Sequence, residues 1–159
     1  MRRLHILAVG SLGQPWLTKG CDYYTQRIAP YYKLQLTELS EHRLASSPSP
    51  AQIEQALQAE AEDFVAKTPK GAMTIALCLE GQSLSSCELA ALLESAYTQS
   101  RLPTFMIGSS HGLAQTLKRQ AHHRLSFSAM TFPHQLARLF LLEQVYRCGC
   151  ITGGSKYHK

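Results

Sequence analysis

Long apolar runs are missing from this 159-residue chain. No stretch approaches the roughly 20 apolar residues of a membrane span. The start MRRLHILAVGSLG has two arginines, but its apolar run of about five residues is shorter than a signal-peptide core. A soluble protein that stays in the cytoplasm, with no membrane partner, is expected. The five cysteines, Cys21, Cys78, Cys87, Cys148 and Cys150, are odd in number and form no repeated CxxC pair. That argues against a disulfide framework and a zinc finger, so reduced thiols and no metal are expected. The histidines do not reverse this: His5 falls in an apolar run, His42 in a loop, and the His122–His123 pair has no third ligand at a suggestive spacing. Acidic residues are also scarce, 11 against 16 Lys and Arg, giving a net charge of +5. The pI near 9.0 favours a polyanionic partner.

No internal repeat appears, and the only linker-like stretch, ASSPSP at 45–50, runs straight into a helix start. One domain over residues 1–159 is expected, and 45% hydrophobic content suffices for its core. Five short apolar runs read as buried strands: LHILAV (4–9), LQLTEL (34–39), MTIALCL (73–79), TFMIG (104–108) and LSFS (125–128). A helix-like segment follows each. Two of these helices open on capping boxes, Ser49 with Gln52 and Ser85 with Glu88, the first with Pro50 suited to its first turn. Alternating strands and helices imply crossover connections, hence an α/β fold with a parallel sheet flanked by helices. Ligands of such sheets sit beyond the carboxyl ends of the strands. That draws attention to GSLG (10–13), EGQS (80–83), GSSHG (108–112) and SAMTFP (128–133). GSLG is not a dinucleotide fingerprint, because Leu12 stands at the second glycine position and no acidic ribose partner follows.

The last helix should start near His134, because Pro133 fits only a helix start, and should end near Arg147 with Gly149 as terminator. Leu136, Leu139, Phe140, Leu142, Val145 and Tyr146 cover more than half its circumference, which suits packing on the sheet and on a second subunit. His134 and Arg138 share a face, and Glu143 with Arg147 has the spacing of an ion pair. On position alone, the first two are equally a helix-start histidine with a solvated arginine, or part of a site.

LSFSAMTFPHQLARLFLLEQVYR, followed by YHK, closely resembles the carboxyl-terminal signature of the SPOUT-class ribosomal RNA large subunit methyltransferase H family. LHILAVGSL, DYYTQRIAPY, LCLEGQSLSSCELA and FMIGSSHGL follow that family's pattern in order and spacing, so the resemblance spans essentially the whole chain. Periodicity alone leads to an open flavodoxin-like sheet, since knots are essentially absent among folds. The resemblance implies instead an α/β fold with a carboxyl-terminal trefoil knot, in a homodimer. It implies S-adenosylmethionine as cofactor and N3 of a pseudouridine in large-subunit (23S) ribosomal RNA as methyl acceptor, on assembled ribosomes. The positions matching the family's cofactor contacts are Leu77, Gly108, Phe127, Ser128, Ala129, Met130, Thr131 and Phe132.

Transfer of a methyl group to an imide nitrogen also requires loss of its proton, and histidine is the side chain best suited as base near neutrality. His134 and His158 are both candidates. Arg138 is placed to hold an RNA phosphate or charge on the base, and the tail Lys156–Tyr157–His158–Lys159 to stack on a base and touch phosphate. His134, Arg138, Tyr157 and His158 are therefore the expected catalytic group. Two positions depart from the family pattern: Ser109 where a second glycine is usual, and Cys78 where an acidic residue is common. An RNA-gripping dimer without turnover, or a small nucleotide-using enzyme on an open sheet, are the rival readings.

Overall fold

The computed structural model describes residues 1–157. Strands and helices alternate without exception along them. β1 (Arg2–Val9) leads to α1 (Pro15–Ile28), β2 (Tyr32–Leu39) to α2 (Pro50–Lys67), and β3 (Ala72–Ser83) to α3 (Ser86–Thr98). β4 (Leu102–Ile107), α4 (Gln115–Gln120), β5 (His123–Ser126) and α5 (His134–Thr152) complete the chain. All four strand pairings are parallel, in the order β2-β1-β4-β3-β5.

Successive side chains of a strand face opposite ways, and both faces of this sheet are covered. Leu4, Ile6 and Ala8 of β1 join a core with residues of α1, α3 and α5. Leu7 and Val9 point to the other side and pack with Phe64 of α2 and Leu117 of α4. The capping boxes are formed as expected: Ser49 and Ser85 each accept from the third residue on, Gln52 and Glu88, and receive its side chain in return. His5 is buried and its Nε2 meets Thr37 Oγ1 at 3.0 Å.

Three expectations are corrected. The strand order is not that of a flavodoxin-like sheet: β4 lies beside β1, and β3 is placed between β4 and β5. Nothing in local periodicity encodes which parallel neighbour a strand selects. α5 runs past Gly149 to Thr152, and the chain leaves it through Gly153 and Gly154, the latter at φ +71°. Gly149 is instead a contact point, since a Cβ there would lie 2.5 Å from Tyr31 Cγ. Glycine is needed there for close approach and not for chain termination. Finally, β3 is far longer than its apolar run. Its second half returns to β5, so that Leu125 pairs first with Leu77 and again with Gln82. Residues 78–81 form a bulge in the ladder beside Leu125, so close that a Cβ on Gly81 would meet its backbone carbon at 2.6 Å.

Candidate active site

Gly10 ends β1 at φ +80°, a conformation that side chains rarely adopt. Its N–H donates to Leu39 O at 2.8 Å, which ties the ends of β1 and β2 together. Its carbonyl accepts from Arg138 Nη2 at 2.8 Å, while Arg138 Nη1 donates to Glu38 Oε1 at 2.6 Å. Arg138 is only 2% exposed. Its guanidinium is thus committed to the strand ends and bolts the start of α5 against them. The solvated arginine that sequence position allowed is excluded by this burial. Gly13 N–H adds a second tie, donating to Gln135 Oε1 at 2.9 Å.

The bolted turn carries His134. A Cβ on Gly10 would meet His134 Nε2 at 3.9 Å and Glu41 Oε2 at 3.6 Å, so imidazole and carboxylate converge over the same glycine. Burial lowers the His134 pKa, opposed by the Glu41 carboxylate and reinforced by Arg138. The ring is therefore neutral at neutral pH and holds a free lone pair. No side chain caps α5, whose N-cap position is Pro133. The first-turn N–H groups leave positive potential at this end.

Beside His134 opens a cleft of about 290 Å³ beyond the carboxyl ends of β3, β4 and β5. Six of the eight residues expected to hold a cofactor line it: Leu77, Gly108, Phe127, Ser128, Met130 and Phe132. Ala129 and Thr131 are exposed on the same loop but are not among its walls. That loop is braced internally, with Ser126 Oγ donating to Ser128 O and Met130 N donating to Ser128 Oγ, both at 3.0 Å. Phe127 and Phe132 each meet Phe140 of α5 edge to face. Met130 is 72% exposed at the rim. Gly108 is required by the loop itself, since a Cβ would lie 2.1 Å from Gly112 O.

Further walls include Cys78, which the sequence marked only as a departure from the family pattern, and Glu80 and Lys118, for which it gave no residue-level signal. Cys78 faces the cleft, its thiol pKa raised first by burial and then by Glu80. Lys118 Nζ donates to Glu80 Oε1 at 2.6 Å, and that bond holds the Glu80 carboxyl below its usual range. Glu41 had no sequence signal at all.

Tyr157 lies elsewhere on its own chain. Its ring packs 4.7 Å from that of Tyr146 and under Arg147, and its hydroxyl meets Glu143 Oε1 at 3.4 Å. Glu143 also pairs with Arg147, the expected i,i+4 pair. His158 falls outside the described residues. No group of three potential metal ligands occurs among the described residues, and none of their helices is long and apolar enough to cross a membrane.

A doubly covered parallel sheet, with a largely apolar cleft at its carboxyl edge and a histidine on the cleft wall, has the form of an α/β enzyme with a small-ligand cleft. The chain belongs to the SPOUT methyltransferases: the family model described as predicted SPOUT methyltransferase matches residues 2–158. Among curated proteins, the ribosomal RNA large subunit methyltransferase H of Carboxydothermus hydrogenoformans is 41% identical over 97% of this chain and 98% of its own. That of Moorella thermoacetica is 41% identical over the full length of both. Among solved structures, the tRNA (m1G37) methyltransferase of Aquifex aeolicus superposes with a TM-score of 0.52 at 11% identity, over 92% of this chain and 70% of its own. A structure described as giving insights into the 2-OH methylation of C/U34 on tRNA gives 0.52 at 18% identity, over 96% and 98%. At those identities the two structures speak for the fold alone.

Proposed function

We propose that this enzyme transfers a methyl group from S-adenosylmethionine to N3 of a pseudouridine in large-subunit ribosomal RNA, on assembled ribosomes. The observation that carries the reading is the meeting, at one cleft, of the 127–132 loop and His134 (residues that match the family signature) with the bolted start of α5. Full-length relatives at 41% identity named as ribosomal RNA methyltransferases support the substrate class.

The residues present fit the cofactor. Leu77, Phe127, Met130 and Phe132 offer apolar walls, and the backbone of 108–112 and 126–130 offers donors and acceptors for a ring edge. When bound, S-adenosylmethionine supplies a methyl carbon activated by its sulfonium. The protein's part is positioning and proton removal. His134, kept neutral by burial, accepts the imide proton, and Glu41 beside it stabilises the imidazolium so formed. Arg138 acts through the helix it anchors: by fixing Gly10 and Glu38 to α5 it sets where His134 points. The helix start, with its unpaired N–H groups, offers an anion site for RNA.

The working form is a homodimer with a trefoil knot. Tyr157 stands away from its own cleft, which supports a tail of Tyr157 and His158 that completes the partner's site. The net charge of +5 suits ribosomal RNA.

Calorimetric titration with S-adenosylmethionine, then transfer of labelled methyl to ribosomes lacking the modification and mapping of the modified nucleoside, tests the proposal. Binding of the donor and label at N3 of one pseudouridine are expected. Label on another nucleoside would overturn the acceptor, and no binding would overturn the enzyme reading.

A further inference from the structure

Glu60 is a carboxylate in the wrong place for a helix surface. It sits on α2 at 3% exposure, where charged side chains are rare unless paired. Its Oε1 accepts the His42 N–H at 3.2 Å, and the His42 ring meets Asp63 one turn further along the helix at 3.3 Å. The loop between β2 and α2 is therefore held twice by α2, and its preceding residue is Glu41, which converges with His134 over Gly10. Glu60 Oε2 has no partner in hydrogen-bonding geometry among the described residues. A buried oxygen left so is costly.

On the other side of this carboxyl lies Ser109. The two residues line one pocket of about 330 Å³, and Ser109 also forms a wall of the donor cleft. Ser109 is itself buried; burial raises the Glu60 pKa, opposed first by the His42 N–H and then by the Ser109 hydroxyl. The loop shape does not depend on this serine. It is set by Gly108, which tolerates no Cβ, and by the Gly112 N–H donating to Ser109 O at 2.9 Å. The family pattern has glycine here, so the Ser109 side chain is a handle that this chain adds.

We propose that Glu60, through Ser109, is a positioning residue that locks the donor-side loop to the base-side loop and so tightens the seat of the methyl donor. This deepens the methyltransferase reading and rests on it. A turn of the Ser109 side chain about χ1 that brings its hydroxyl onto Oε2 satisfies the orphan oxygen and fixes the 108–112 turn relative to Glu41 and His134. The effect falls on donor binding, because Ser109 lines the donor cleft.

The test is a double-mutant cycle on S-adenosylmethionine affinity, read by calorimetry, with kcat and both KM values measured alongside. Ser109→Ala and Glu60→Ala each weaken donor binding about 2- to 10-fold, as loss of one hydrogen bond does. The double variant is no weaker than the worse single one, and the KM for ribosomes is unchanged. Glu60→Gln, which keeps an acceptor for His42 and a donor for Ser109, restores most of the affinity. Should Glu60→Ala fail to fold, Ser109→Ala alone carries the test, through its own loss of donor affinity. Unchanged donor affinity in Ser109→Ala, or additive losses in the cycle, would overturn this inference and leave the methyltransferase reading standing. No donor binding by the unsubstituted protein would overturn both.

Discussion

His134 and Arg138 are four residues apart and act in opposite ways. The imidazole is held neutral chiefly by desolvation, so its folded pKa lies below the ordinary histidine range. For a base in the neutral form, the rate is full above that pKa and is lost as pH falls through it. kcat/KM should therefore decline on the acid side with an inflection below the usual histidine value. Histidine-to-glutamine substitution at 134 should remove that inflection and lower kcat by about 10²- to 10⁴-fold, the usual worth of a positioned base. A profile unchanged in shape would exclude His134 as the base. The same sign governs stability. The unfolded state binds the proton more readily, so His134 costs folding free energy as pH drops through the window between the lowered and ordinary values. Arg138→Ala is predicted to act on the fold. It removes two charge-assisted hydrogen bonds and a buried stem, though Glu38 keeps access to water, so a loss of about 2–3 kcal/mol is expected in denaturant melts. A variant as stable as the parent would refute the bracket.

At the scale of elements, much could be read from the sequence and some could not, for physical reasons. Both capping boxes and the five apolar runs are local signals, and local chemistry realises them. The strand-end rule points to four loops, and two of them, GSSHG and SAMTFP, wall the cleft. Strand order and the second half of β3 depend on contacts between residues distant in sequence, such as Leu77, Gln82 and Leu125, and no window of sequence carries them. Arg138 misled for a related reason: its partners lie 100 and 128 residues away. Gly149 misled because glycine serves two purposes, and the Tyr31 ring reveals which one applies. A methyl group placed there must push α5 off Tyr31. Overpacking of this kind costs about 1–3 kcal/mol, against a gain of about 1 from helix propensity. The net loss is up to about 2 kcal/mol, so Gly149→Ala should lower the melting temperature by up to roughly 8 °C for a chain of this size. A melting temperature raised by the full worth of the helix propensity would show that Tyr31 yields without cost.

In the whole molecule, Tyr157 and the cleft do not meet within one chain. Tyr157 is bound to Tyr146, Arg147 and Glu143 on the outer side of α5, at 38% exposure. His134 looks into the cleft from the helix's first turn. Glu143 lies nine positions along α5 from His134, at about 1.5 Å rise each, so Tyr157 seated at Glu143 serves a neighbour more readily than its own cleft. Two inactive variants distinguish the arrangements. One lacks residues 157–159 and keeps His134; the other has His134→Gln and keeps its tail. If tails act in trans, mixing and reassembling the two yields dimers with one complete site, and activity should return to about a quarter of wild type for equal pools. If tails act in cis, no site in any mixture is complete and the mixture stays inactive. Gel filtration of the mixed sample fixes the dimer population on which the fraction rests. Recovery without dimers would require the tail to act across transient encounters, and a recovery that falls steeply on dilution would separate that case from a stable pair.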